Sequence, residues 1–211
     1  MARVPRTGKC KLACVGLDYD NGVNVFKFFV HTVGVDKSWR VIEYSLKREC
    51  PTLPAVKVGP FSVGKFIFWT ETPNLTTMRL IAMVMDNESI HLVRSPLGHH
   101  NRSGYISMGN DLSCVRYENS MHYMHILTDV NSGTWVLSHK FAITLPPEFG
   151  FPSCICMRFI CCLGNSQELI LRVEERYFAF SLKTQQLRCI DNYFFGWSSF
   201  AVVHTNNLVS W

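Results

Sequence analysis

The chain has 211 residues, with 21 Lys+Arg against 16 Asp+Glu and a formal net charge of +5. That length fits one domain or a tight pair, at roughly 100–200 residues per domain. Apolar residues at 47% against 18% charged exclude a disordered chain, and a charge excess this small and dispersed argues against a nucleic-acid partner.

Taken in chain order, the apolar residues recur in short alternating runs, the period-two pattern of half-buried strands. The clearest predicted strands are 25–33, 39–46, 61–69, 79–85, 122–128, 135–143, 169–173 and 177–182. Turn-forming residues separate them, among them Asp86-Asn87, Asn131-Ser132-Gly133 and Lys183-Thr184. No segment combines a long helical periodicity with caps at both ends, so the chain reads as nearly all β. The aromatic content of 13% agrees with that class. The longest apolar candidate, 151–163, is cut by Arg158 and falls short of the ~18 residues that a membrane helix needs.

A spaced repeat emerges when the hairpins are aligned. VIEYSLKRECPTL, LIAMVMDNESIHLV, MHILTDVNSGTWVL and YFAFSLKTQQLRCI each carry an apolar strand, a polar turn and a second short strand. From Leu46 to Asp86, to Asp129 and to Leu182 the intervals are 40, 43 and 53 residues. Periods of roughly 40–50 residues with four strands per unit belong to propeller blades. The further strand candidates GPFSVGKFIFW, GYISMGNDLSCVRY and CICMRFICCLGNSQELIL would supply the inner strands of those blades. The competing architecture is an ordinary β-sandwich.

The residues also resemble a known family. GLDYDNGVNVFKFFV (Gly16–Val30) looks like the opening "G-[FL]-x-Y-D" motif of the plant F-box-associated domain, and WRVIEYSLKRE (Trp39–Glu49) like its first "W-R…Y-S-L" hairpin. VGPFSVGKFIFWT, LIAMVMDNESIHLVRSPLG, LILRVEERYFAFSLKTQQLRCI and the tail FAVVHTNNLVSW resemble later segments, in family order. The resemblance covers the chain from about Cys14 to its last residue. It implies an all-β, antiparallel, kelch-like and propeller-related domain over 14–211, of about four hairpin blades plus a terminal strand, behind a short lead-in over 1–13. It further implies the substrate-recognition part of a Skp–cullin–F-box ubiquitin ligase. Only 13 residues precede Cys14, too few for a helical F-box. The chain is therefore expected to be a fragment or an F-box-less paralogue. The strand that precedes the "G-[FL]-x-Y-D" motif in the family is expected to be missing, leaving one blade incomplete and an edge unpaired. The Skp adaptor is a partner only if an upstream F-box exists.

Candidate chemistry is weighed against simpler roles. Gly59 to Lys65 matches the first seven positions of a phosphate-binding loop, but Phe66 stands where Ser or Thr must hold magnesium. A β-turn within a hairpin explains those glycines. Cys154, Cys156, Cys161 and Cys162 crowd together without the paired spacing of structural zinc, and Cys10 and Cys14 form a looser pair. Both groups read as small apolar thiols. His122 and His125 fall three apart in a strand, an odd spacing that sends them to opposite faces; His99 and His100 read as loop residues. Asp18 and Asp20 begin like a calcium loop, yet the twelfth position is Phe29, so the segment reads as a turn. Glu174-Glu175 reads as a solvated turn. The aromatic run Tyr193–Trp197 is expected to pack inside, with an exposed recognition patch as the alternative.

The expectation is a protein–protein interaction module with no enzymatic chemistry, no cofactor and no metal site. Its partner would be a protein substrate, with neither nucleic acid nor membrane involved. Binding would use loops: 95–103, 119–122, 146–152 and 192–197. The odd count of nine cysteines and the absence of a signal-like opening place it in the cytoplasm or nucleus. The Asn-X-Ser/Thr triplets at Asn74, Asn87 and Asn101 are then inert. The alternatives are a truncated, non-functional paralogue and a propeller-borne hydrolase or glycan-binding domain.

Overall fold

A computed structural model describes residues 2–3, 7–20, 23–47, 61–71, 78–96, 104–147, 157–163, 167–174 and 176–190. Among them there is no α-helix, and no helix long and apolar enough to cross a membrane. Sixteen strands form four antiparallel sheets, each built from four strands in consecutive order. The first sheet contains β1 (Ala2–Arg3), β2 (Cys10–Asp20), β3 (Val23–Thr32) and β4 (Arg40–Lys47). The second contains β5 (Phe61–Val63), β6 (Phe66–Glu71), β7 (Arg79–Val84) and β8 (Ile90–Arg94). The third contains β9 (Gly104–Met108), β10 (Asp111–Glu118), β11 (Met121–Asp129) and β12 (Thr134–Phe141). The fourth contains β13 (Met157–Leu163), β14 (Glu168–Val173), β15 (Arg176–Ser181) and β16 (Leu187–Cys189).

Three of the four aligned hairpins are present as antiparallel pairs, β7–β8, β11–β12 and β15–β16. The second half of the first, 48–53, and the expected terminal strand lie outside the described residues, so the four sheets alone bear on the pattern. Two readings are corrected. The run 61–69 is two strands, because Gly64, at φ 56°, turns the chain back so that Val63 pairs with Phe66 and Phe61 with Phe68. Left-handed backbone of this kind costs glycine nothing and other residues more. Asp18 and Asp20 lie in β2 rather than in a turn, and β2 pairs with β3 from Lys11↔Thr32 to Asp20↔Val23. The boundary between 13 and 14 thus falls inside β2. Ahead of that point, β1 pairs with the start of β2, Ala2↔Lys11 and Arg3↔Cys10. The first sheet has four strands, not a gap.

Residue contacts divide the chain into two compact units, Met1–His100 with Ile126–Val136, and Asn101–His125 with Leu137–Trp211. In the first, Phe26, Phe28 and Val30 of β3 pack with Ile67 and Trp69 of β6 and Ile81 and Met83 of β7. Phe28 meets Trp69 edge to face at 5.8 Å between centroids. Both faces of β6 and β7 are buried, which is why LIAM runs without alternation. In the second, Phe141, Phe159, Phe178 and Phe180 are all buried, with Phe141 and Phe180 stacked at 5.2 Å.

Candidate functional site

Among the described residues of the first unit, exposed apolar side chains concentrate at the β3–β4 connection and the start of β4: Val33, Val35, Trp39 and Val41 are each roughly half exposed. Isolated exposed valines need no explanation, but four apolar side chains along one turn, with an indole among them, form a patch. Its backbone is fixed by charge. Asp36 accepts the Thr32 amide at 2.6 Å and the Arg40 Nε at 3.1 Å. Val35 and Asp36 donate their amides back to the Thr32 carbonyl. Gly34, at φ 75°, supplies the left-handed step. The Trp39 ring lies 5.6 Å from that of His31.

A second carboxylate extends this framework to the β7–β8 hairpin. Glu88, itself at φ 61°, takes two bonds from the Arg40 guanidinium at 2.8 and 2.9 Å and one from Lys11 Nζ at 2.7 Å. Lys11 also donates to the Met85 carbonyl. The Thr32 amide, then Arg40, hold the Asp36 carboxyl down to about 2. Arg40, then Lys11, lower Glu88, and Glu88 raises Arg40 in turn. These shifts hold Asp36, Arg40 and Glu88 in their charged forms through directed hydrogen bonds. Glu88 lies 48 residues from Arg40 and 77 from Lys11 along the chain, and no local motif joins it to either.

The candidates from sequence are dispersed rather than assembled. Gly64 and Lys65 form the β5–β6 turn, a hairpin and not a phosphate cradle. Cys161 is buried and Cys162 half-buried in β13, with burial pushing the Cys162 thiol up to about 11. Cys154 and Cys156 lie outside the described residues. Cys10 and Cys14 share a face of β2, but four strand steps separate them by about 13 Å, too far for one metal. Among the described residues no three His, Cys, Asp or Glu side chains converge as a metal site. Asp18 pairs with Lys27 at 2.5 Å across β2 and β3. Glu174, at φ 53°, ends β14 as a turn residue.

His122 and His125 sit in β11, on opposite faces as their spacing requires. His122 is only 3% exposed and is enclosed by Tyr117, Phe141 and Phe159, with centroids 4.9–5.4 Å away. It is a core residue, and of the expected contact loop 119–122 it is the member withdrawn from solvent. Asn119 and Ser120 are exposed at the turn, both at positive φ. In loop 95–103, Ser95 is buried, and in 146–152 only 146 and 147 are described. His99, His100 and 192–197 lie outside the described residues.

One arrangement has the residue types of a hydrolytic relay. Ser89 Oγ lies 2.9 Å from His91 Nε2, and the Asp129 carboxyl, lowered first by Ser132 and the Asn131 amide, is also within reach of the His91 charge. The geometry does not complete the relay. Ser89 Oγ directs its proton to Asn87 Oδ1 at 2.8 Å. Asp129 spends its oxygens on Ser132 Oγ and the Asn131 amide at 2.7 and 2.9 Å. A working triad needs the acid bonded to the imidazole; here each polar group closes its own turn. No family model matches the chain, and a search of the curated proteins returns no match.

Proposed function

We propose that the chain is a protein–protein recognition module, resembling the substrate-recognition half of F-box proteins that serve Skp–cullin ubiquitin ligases. In this reading its four sheets are the blades of a kelch-like, propeller-related β domain, and it carries no chemistry of its own. One observation supports it above the rest: four successive four-stranded meanders, each in strict sequence order, with Phe61, Gly104 and Met157 opening the last three at intervals of 43 and 53 residues. That repeat is what stacked blades require and what a Greek-key sandwich, with its crossed connections, does not produce.

The contact surface this reading favours is the turn bearing Val33, Val35, Trp39 and Val41. Large aromatic anchors dominate binding energy at interfaces, and a turn held by directed ionic bonds loses little entropy on docking. The Skp adaptor would be reached only through an F-box encoded upstream. The test is affinity capture from cells of the chain and of its Trp39→Ala and Val35→Asp variants, with and without the upstream coding sequence. A protein partner captured by the chain, and lost with either variant, supports the reading. Adaptor capture should require the upstream sequence. Adaptor binding by the 211 residues alone, or partner capture unchanged in both variants, overturns it.

A further inference from the structure

We propose that the face of the third sheet carrying Arg116, Tyr123 and Lys140 is a docking site for an extended acidic segment of a partner protein. The three residues stand on the adjacent strands β10, β11 and β12, and their side chains meet in one row. Arg116 Cζ lies 5.3 Å from the centroid of the Tyr123 ring, and Lys140 Nζ lies 5.4 Å from it. Tyr123 is half-buried and Lys140 exposed, so the row is open to a ligand.

Its charge is under-compensated. Glu118 reaches one terminal nitrogen of Arg116 at 3.1 Å, while Arg116 Nε is buried without a hydrogen-bond partner. His125 follows Tyr123 by two residues, on the same face of β11, and its buried Nδ1 also lacks a partner. Lys140 makes no ion pair with a described carboxylate. Two cations around one phenol, one of them with an orphaned Nε, ask for an acceptor-rich ligand, because buried polar groups are normally satisfied. Burial, then the Arg116 charge, holds His125 toward its neutral form.

Spacing selects the class of anion. The two cations are no more than about 11 Å apart across the ring. Alternate side chains of an extended peptide lie about 7 Å apart on one face, and flexible Glu side chains bridge the difference. A polyanionic nucleic acid draws its affinity from many phosphate contacts; two cations opposed by Glu118 offer few. The phenol ring gives the peptide backbone an amphipathic surface to lie against.

The residues involved are separate from the Val33–Val41 turn, so this site stands or falls apart from the ligase reading. The experiment is fluorescence anisotropy on the full chain with a labelled peptide of alternating Glu and Ser. A Gln–Ser counterpart and an oligothymidylate serve as the other probes. The Glu–Ser peptide should bind, weaken with added salt, and lose affinity about tenfold in Lys140→Gln and again in Arg116→Gln. Lys183→Gln, an exposed lysine in the β15–β16 turn, should leave binding unchanged. Arg116 is partly buried, so circular dichroism checks its variant; Lys140 is exposed and decides the question if that variant misfolds. Equal binding of the Gln–Ser peptide, or full affinity in Lys140→Gln, overturns the proposal. Tighter binding of the oligothymidylate also overturns it and assigns the face to nucleic acid.

Discussion

Replacing His122 by Phe should remove a defined pH dependence from the stability of the protein. In the folded chain, burial among Tyr117, Phe141 and Phe159 lowers the imidazole to about 4 from 6.5, an effect offset in part by its bond to the Phe141 backbone carbonyl. Nδ1 is buried with no partner, so nothing in the pocket stabilises a second proton. The folded pKa is depressed, and the sign follows. Above pH 6.5 both states hold a neutral ring and stability does not depend on it. As pH falls below 6.5 the unfolded chain binds a proton that the folded chain refuses, and stability falls until the folded ring itself titrates near 4. A shift of that size corresponds to about 3 kcal/mol, at ~1.4 kcal/mol per pKa unit. The side chain is almost fully buried, so solvent screening takes little from that figure. The assay is urea unfolding of both proteins at a series of pH values from 7.5 to 4, followed by tryptophan fluorescence. Taking the difference between the two curves removes every other titrating group, His125 included, to the extent that distant sites are additive. The Phe variant should gain on the parent steadily below pH 6.5, approaching about 3 kcal/mol near pH 4. Parallel curves, or a His122 ring that titrates near 6.5 by NMR, would refute the enclosed-imidazole argument.

Glu88→Gln keeps the shape of the bridging side chain but strips its charge from between Lys11 and Arg40. With Lys11 only 12% exposed, an uncompensated ammonium should cost about 1–3 kcal/mol in urea unfolding, and the loss should shrink with added salt. Because Asp36 and Glu88 have depressed folded pKa values, their contribution is whole above the usual carboxylate range. It is lost as pH falls below that range, so acid unfolding of the Gln variant should begin from a lower plateau. Ser120→Gly relieves a serine held at φ 63° and should leave stability unchanged or raise it by up to ~1 kcal/mol, since glycine's freedom in the unfolded chain offsets part of the relief. Burial pushes the Cys114 thiol up to about 12; mass spectrometry after iodoacetamide at pH 8 should find it unlabelled in the native protein and labelled in urea.

The strands were legible where one face alone is buried. In β11 the alternation of Met121 to Leu127 marks the strand and separates His122 from His125 by face. β2 was not legible because its residues are half-buried on both faces from Cys10 to Val15, except for exposed Cys14, so no period-two contrast exists. The split of 61–69 was legible in the glycines, which mark a hairpin turn, but not in the apolar pattern, which runs on to Trp69 on the far side of Gly64-Lys65. The Tyr123 row had a usable signal. Counting back from the tight turn at Asn119-Ser120 places Arg116 beside Tyr123, by the fixed register of a two-residue hairpin. Lys140 needed the next hairpin as well. The ionic cluster had no such signal, since Lys11 of β2 and Glu88 of the β7–β8 turn meet Arg40 at the β3–β4 connection only after the first two sheets have packed.

That last point bears on how the apolar turn is held. Asp36 and Arg40 would bond to each other in many conformations of a free loop, and an exposed pair of that kind is worth little. Glu88 changes the case. Its left-handed backbone at the β7–β8 hairpin aims both carboxylate oxygens at Arg40, while Lys11 from β2 closes the other side. The turn carrying Trp39 is therefore positioned by two sheets at once, and those sheets also meet where Phe28 of β3 packs against Trp69 of β6. A truncation in that core, such as Trp69→Ala, should disturb the position of Trp39 without touching it. A variant at Glu88 would loosen the same turn while leaving the core intact. The two effects are separable because only the second responds to salt.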